Sequence, residues 1–212
     1  MSIILFLLAE VKTKIDEEAE NIVRLYPMVK KVMKKAEMER ILSTLSKEVL
    51  KRMGRKNLAI VGIRKRGAIL AKRVATRIEG ITKMEIPLGT LDITLYRDDL
   101  SVIGPQPVVH RTEIPFDLTG KNVLLVDDVL YTGRTIRAAL DELIDFGRPE
   151  VIKLLVLIDR DNRELPIQPD FIGKRLVARE NEMVEVKLKE SDAKEEVVII
   201  KKKWCAGKER TF

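Results

Sequence analysis

The chain has 212 residues, 45% of them hydrophobic and 34% charged, enough apolar content for one compact α/β domain with its own core. Lys plus Arg (40) exceed Asp plus Glu (33), a net charge of +7 that suits anionic partners such as phosphates or nucleic acid, with a solvated Lys/Glu-rich surface standing equally beside that reading. One cysteine, Cys205, excludes a disulfide framework or a CxxC zinc site, and one histidine, His110, excludes His-rich metal clusters and reads as structural rather than catalytic.

In chain order, the apolar run from Ile3 to Ala9 falls far below the ~18 residues a membrane span needs. It also lacks the basic flank and cleavage site of a signal peptide, so no membrane segment and a cytoplasmic setting are expected. Residues 1–32 read as a separate N-terminal extension with no assigned chemistry. Ile15, Ala19, Ile22, Val23 and Tyr26 have helical spacing, and Met33-Lys34-Lys35-Ala36-Glu37 resembles a start of its own. The main domain is expected over 33–205, followed by a short tail at 206–212.

A helix follows, with Met38, Ile41, Leu42, Leu45, Val49 and Met53 on one face and Gly54 ending it. Leu58-Ala59-Ile60-Val61 is a buried strand that runs into the basic turn Gly62-Ile63-Arg64-Lys65-Arg66-Gly67, and Leu70, Val74 and Ile78 mark a second helix. Residues 86–96 are strand-rich, and 97–107, with Gly104, Pro105 and Pro107, read as a loop. Val123-Leu124-Leu125-Val126 has the unbroken apolar character of a central parallel strand. A helix marked by Ile136, Ala139, Leu140 and Leu143 follows, and 151–158 is the next strand. This alternation argues for a parallel sheet flanked by helices. Residues 184–188 and 197–200 alternate as further strands.

The chemistry concentrates in Val123-Leu124-Leu125-Val126-Asp127-Asp128-Val129-Leu130-Tyr131-Thr132-Gly133-Arg134-Thr135. Ligands of open α/β sheets bind at the C-terminal ends of strands. The amide-rich turn and helix start suit a 5′-phosphate. Gly133 permits close backbone approach, and Thr132 and Thr135 add hydroxyl donors. Asp127 and Asp128 can accept hydrogen bonds from ribose hydroxyls near a Mg²⁺ ion. Neither a P-loop nor a Rossmann fingerprint is present. The basic turn, with Arg64, Lys65, Arg66 and Gly67, suits a multiply charged anion.

All thirteen positions of 123–135 agree with the phosphoribosyl pyrophosphate (PRPP) signature of the type I phosphoribosyltransferases, and Gly62–Gly67 resembles their pyrophosphate loop. The segments LDITLYRDDLS (91–101), VLLVDDVLYTGRT (123–135), DFGRPE (145–150) and LIDRDNRELPIQPDFIGK (157–174) are similar to the PyrR family, pyrimidine operon attenuation regulators that are also uracil phosphoribosyltransferases. The resemblance runs from about residue 36 to 200. It implies a type I fold with a small hood, contributed mainly by 159–200. It also implies conversion of uracil and PRPP to UMP and pyrophosphate with Mg²⁺. Asp127, Asp128 and Arg97 would be catalytic, with Mg²⁺ reaching Asp127 and Asp128 through Mg-PRPP. Arg64, Lys65, Arg66, Gly67, Arg97 and Asp98 would bind pyrophosphate, and the region of Asp159 and Arg160 would bind the base.

The same resemblance implies binding of a messenger-RNA leader in response to UMP or UTP. Thr44, Lys47, Arg52, Arg163 and Lys174 are the candidate contacts. Asn162, Gln168, Lys47 and the pair Ser43-Thr44 depart from the family's usual His, Arg, His and Arg in that surface, without touching the PRPP residues. Two other readings stand beside the enzyme: an RNA-binding nucleotide sensor with vestigial catalysis, and a purine phosphoribosyltransferase. A homodimer or higher homo-oligomer is expected.

Overall fold

The computed structural model describes residues 29–94, 111–179 and 181–201. Five strands form one sheet in the order β3-β2-β4-β5-β6: β2 (Leu58–Ile63), β3 (Leu88–Leu91), β4 (Asn122–Leu130), β5 (Val151–Arg160) and β6 (Phe171–Leu176). Every neighbouring pair in it is parallel. Sequence alternation divides the core. Leu124 and Val126 pack with α1 (Lys35–Met53) and α2 (Arg66–Thr82), whereas Val123 and Leu125 pack with α3 (Arg134–Asp145). Both faces of the central strand are therefore covered, which is why it reads as an unbroken apolar run.

A second sheet, antiparallel and ordered β1-β8-β7, forms the hood from β1 (Val29–Lys34), β7 (Glu182–Lys187) and β8 (Glu196–Lys201), with the short α4 (Lys189–Asp192) between the last two. Two expectations change here. The boundary after residue 32 falls inside β1, which pairs with β8 through Val29↔Ile200 to Lys34↔Glu196. The hood also does not take all of 159–200: Phe171–Leu176 joins the main sheet beside β5. That strand escaped the sequence reading because Gly173 and Lys174 interrupt its apolar pattern. Gly173 is what lets α1 cross it, since a Cβ there would lie 2.4 Å from the Leu157 carbonyl and 2.9 Å from Ile41.

β3 is shorter than the strand-rich stretch 86–96, covering only Leu88–Leu91. The α1 boundaries agree with the apolar spacing, and its burial of Met38, Leu42, Leu45 and Val49 supplies one wall of the core. Each such fully buried side chain contributes about 1.5–3 kcal/mol relative to exposure.

Candidate active site

β4 continues past its apolar run and through the two acids to Leu130, because β5 is long enough to pair with it as far as Leu130↔Asp159. Asp127 and Asp128 thus sit within the strand's C-terminal end rather than after it. Both acids reach the hollow beside the start of α2: the Asp127 Cα and one of its carboxylate oxygens stand close to Gly67, and the charge of Arg66 acts on Asp128. The Asp127 carboxylate accepts the Asp128 N–H at 2.9 Å, and that of Asp128 accepts the Val129 N–H at 3.0 Å, which fixes both side chains.

Burial, and then the charge of Asp128, push the Asp127 carboxyl well above the usual carboxylate range. Burial also raises Asp128, but there the hydrogen bond from Asp127 and the charge of Arg66 work in the opposite direction. Of the two, Asp127 is pushed further above the ordinary carboxylate range, and Arg66 favours negative charge on Asp128.

A cavity of about 270 Å³ opens at this end of the sheet. The basic turn contributes Arg64, Lys65 and Arg66; the end of β3 contributes Asp92, Ile93 and Thr94; β4 contributes Asp127, Asp128 and Val129; the start of α3 contributes Thr135. Three segments far apart in sequence thus converge on one polar hollow. Gly67 makes this possible, because α2 begins in contact with β4. A Cβ on Gly67 would stand 2.6 Å from the Val126 carbonyl and 3.3 Å from an Asp127 carboxylate oxygen.

Within the signature segment the roles divide. Val123, Leu124, Leu125 and Val126 are fully buried core residues, and Leu130 is nearly so; they position the acids without lining the cavity. Gly133 precedes α3 with φ of +97°, a conformation that suits glycine, and the Thr132 hydroxyl accepts the Arg134 N–H at 3.4 Å. The Thr132 carbonyl accepts the N–H groups of Glu164 (3.0 Å) and Leu165 (3.1 Å), and exposed Arg134 pairs with Glu164 at 2.6 Å. The turn after β4 is in this way backed by the loop after β5. Arg64 donates to the Arg111 carbonyl at 3.2 Å and approaches Glu113 at 3.7 Å, while its buried Nε has no partner among the described residues.

The base-side residues are engaged with protein. Asp159 is paired with Arg163 and lies 3.6 Å from Arg175. Arg160 stacks on the Tyr131 ring at 4.0 Å and donates to the Arg179 carbonyl at 2.8 Å. Arg97, Asp98, His110 and Cys205 lie outside the described residues, as do the rest of 95–110 and residues 1–28.

Of the five candidate RNA contacts, four lie on two neighbouring elements. Thr44, Lys47 and Arg52 are on α1, and Lys174 is on the neighbouring β6. Lys47 is exposed, while Arg52 stacks on Phe171 at 4.5 Å and donates to the Asp170 carbonyl at 2.7 Å. Lys174 bonds Glu37 at 2.8 Å and the Val32 carbonyl at 3.0 Å. Arg163 is on neither element. Its side chain is 16% exposed and donates to the carbonyls of Ile167 (3.0 Å), Tyr131 (2.8 Å) and Arg160 (2.6 Å) as well as to Asp159.

Sequence reasoning missed the pair that holds one of the cavity's cations: Asp192 and Glu185 of the hood, which bond Arg66 from outside the lining. The only linear hint was a Ser-Asp pair ending the apolar alternation at Leu188, a turn signal that names no partner.

The family model described as "Phosphoribosyl transferase domain" matches residues 28–191. A solved hypoxanthine phosphoribosyltransferase from Staphylococcus aureus superposes with a TM-score of 0.61, covering 82% of this chain and 93% of that one at 18% identity, a likeness of fold. The sheet, the hood and the acid pair at the end of β4 thus define a type I phosphoribosyltransferase domain. Proteins called "Bifunctional protein PyrR" match more closely. The one from Roseiflexus sp. is 53% identical over 164 residues, covering 77% of this chain and 90% of that protein. The one from Listeria welshimeri is 54% identical over 175 residues, covering 81% and 96%. The chain belongs to the PyrR family.

Proposed function

We propose that the protein transfers ribose 5-phosphate from PRPP to uracil, yielding UMP and pyrophosphate, and that it also binds a messenger-RNA leader under the control of UMP or UTP. The observation that carries the enzymatic reading is the cavity that brings Arg64–Arg66, Asp127, Asp128 and Thr135 together. Cations at one end suit pyrophosphate, the Asp128 carboxylate beside Arg66 suits the ribose, and the amide groups at the start of α3 suit the 5′-phosphate. Two carboxylates are hard oxygen donors of the kind Mg²⁺ takes, and among the described residues no group of three or more His, Cys, Asp or Glu is arranged to hold a metal. Asp127 and Asp128 would therefore share the ion with oxygens of PRPP, where it offsets charge on the departing pyrophosphate.

Departure of pyrophosphate leaves positive charge on the ribose ring and adds negative charge to the leaving group. Asp128 lies on the ribose side and Arg64, Lys65 and Arg66 on the other, so each developing charge meets its opposite. Since Asp159 and Arg160 spend their side chains on protein contacts, we place uracil against backbone groups of the segment that follows Asp159. The α1/β6 region, which carries Thr44, exposed Lys47, Arg52 and Lys174, is the part we assign to RNA. Among the described residues no helix is long and apolar enough to cross a membrane.

The test is UMP formation from labelled uracil and PRPP with Mg²⁺, run against hypoxanthine and guanine, beside a gel shift of leader RNA with and without UMP. UMP formation with uracil alone is expected. Turnover with a purine would replace uracil, and RNA binding without any turnover would replace the enzyme by a nucleotide sensor.

A further inference from the structure

The hood is fastened to α2 through a row of arginines. Arg73 forks onto Glu190 with bonds of 3.0 and 2.6 Å and also pairs with Glu195, and Arg77 pairs with Glu39 of α1. Arg66, the last cation of the basic turn, forks onto Asp192 with bonds of 2.8 and 3.3 Å and reaches Glu185 at 3.5 Å. The Arg66–Asp192 and Arg73–Glu190 forks are chemically alike, and both tie α4 to α2. They differ in one respect: Arg66 lines the cavity and Arg73 does not.

Asp192 is itself immobilised. Its Oδ2 accepts the Leu188 N–H at 3.0 Å and the Ser191 hydroxyl at 2.6 Å. The Arg66 guanidinium is thus held by a fixed carboxylate, with its charge felt at Asp128. Its Nη1 donors have no hydrogen bond to any described residue and remain for a ligand. A free arginine beside a cavity gives up considerable rotamer freedom when it binds an anion. Here the fold has already removed that freedom.

We propose that Asp192 is a positioning residue for phosphoribosyl transfer, holding the Arg66 guanidinium at the cavity beside Asp128 to receive the diphosphate end of PRPP. Hood attachment and recognition of the leaving group are then one device, since the hood cannot separate from α2 without releasing Arg66. The proposal rests on the reading of the cavity as a PRPP site.

The test compares Asp192→Asn with Glu190→Gln in the full chain, by UMP kinetics and by calorimetric PRPP binding without base. Both substitutions remove a carboxylate charge from an α4–α2 fork, so both are expected to lower Tm. Only Asp192→Asn is expected to raise the KM and Kd for PRPP, by about tenfold, the contribution of one charge-assisted hydrogen bond. The KM for uracil is expected to stay within about twofold, kcat to fall because Arg66 meets charge that develops on the leaving group, and Asp192→Glu to lie between the asparagine variant and wild type. In an Arg66→Ala background, Asp192→Asn is expected to add nothing to KM.

An unchanged PRPP affinity in Asp192→Asn, or an equal rise in Glu190→Gln, would overturn the proposal. If wild type neither turns over nor binds PRPP, the PRPP reading fails and the proposal with it. If wild type binds PRPP without turnover, the calorimetric comparison still decides the role of Asp192.

Discussion

Gly67→Ala offers a quantitative probe of how tightly the site is assembled. The added Cβ would lie 2.6 Å from the Val126 carbonyl, about 0.8 Å inside the 3.4 Å at which such contacts become ordinary. Its other close neighbours, the Asp127 Cα at 3.1 Å and carboxylate oxygen at 3.3 Å, belong to the same strand end. Two of these atoms are backbone of a central strand paired on both sides, so the strand cannot yield and the start of α2 must back away. Overpacking of this kind costs about 1–3 kcal/mol, a Tm drop of roughly 2–12 °C for a chain of this size. The kinetic cost should be larger. Arg66 moves with α2, and a displacement near 1 Å in a catalytic constellation can cost on the order of 100-fold. We expect kcat/KM for PRPP to fall by about ten- to a hundredfold in a UMP-formation assay.

Gly80→Ala is the matched control: it sits in the same helix with nothing within 4 Å of its would-be Cβ. It should gain about 0.4–1 kcal/mol from helix propensity and leave kinetics unchanged. If Gly67→Ala kept both its Tm and its kcat/KM, the inference that close contact of α2 with β4 builds the site would be refuted.

Three further outcomes are expected. Asp128→Asn should lower kcat by at least about 100-fold while a thermal melt shows little change, since it also removes charge from a crowded acid pair; a matching collapse of Tm would make Asp128 structural. Arg163→Ala should lower Tm and raise the KM for uracil, because it strips the donors that join the Tyr131 carbonyl to the loop after β5; intact kinetics with lost RNA binding would return Arg163 to the RNA face. Glu142 is 4% exposed, bonded by the Thr112 hydroxyl, with its Oε2 unpartnered. Burial, and also the charges of Asp92 and Asp145, raise its carboxyl pKa despite that bond. The folded state then holds a proton that the unfolded chain releases, so stability drains as pH rises from the ordinary carboxylate range through the raised value. Glu142→Gln should flatten that part of the Tm-versus-pH curve, and an unchanged curve would show that Glu142 ionises freely.

Much of this was legible in one dimension because the information was local. The apolar run of β4, the acids that follow it and the glycine-threonine turn are contiguous, and the backbone of a covered strand leading into a helix start leaves few other conformations. The α1 face and the basic turn were readable for the same reason: helical spacing and charge density are properties of short windows. The allocation of each cation was not. Arg64, Arg66 and Arg163 are equally charged letters, yet only contacts 47 to 126 residues away in sequence decide that Arg66 faces Asp192 and Arg64 the Arg111 carbonyl. That Arg163, an expected RNA contact, also clasps the chain internally was hidden for a similar reason. Its partners are mostly backbone carbonyls, which every residue type possesses and no sequence pattern marks.

β6 and the entry of β1 into the hood likewise depended on an edge already formed by β5 and β8. Chain order could name the chemistry, because binding loops are built from consecutive residues. Which charges stay free to perform it emerged only on folding, since an ion pair or a carbonyl contact is a matter of distance through space.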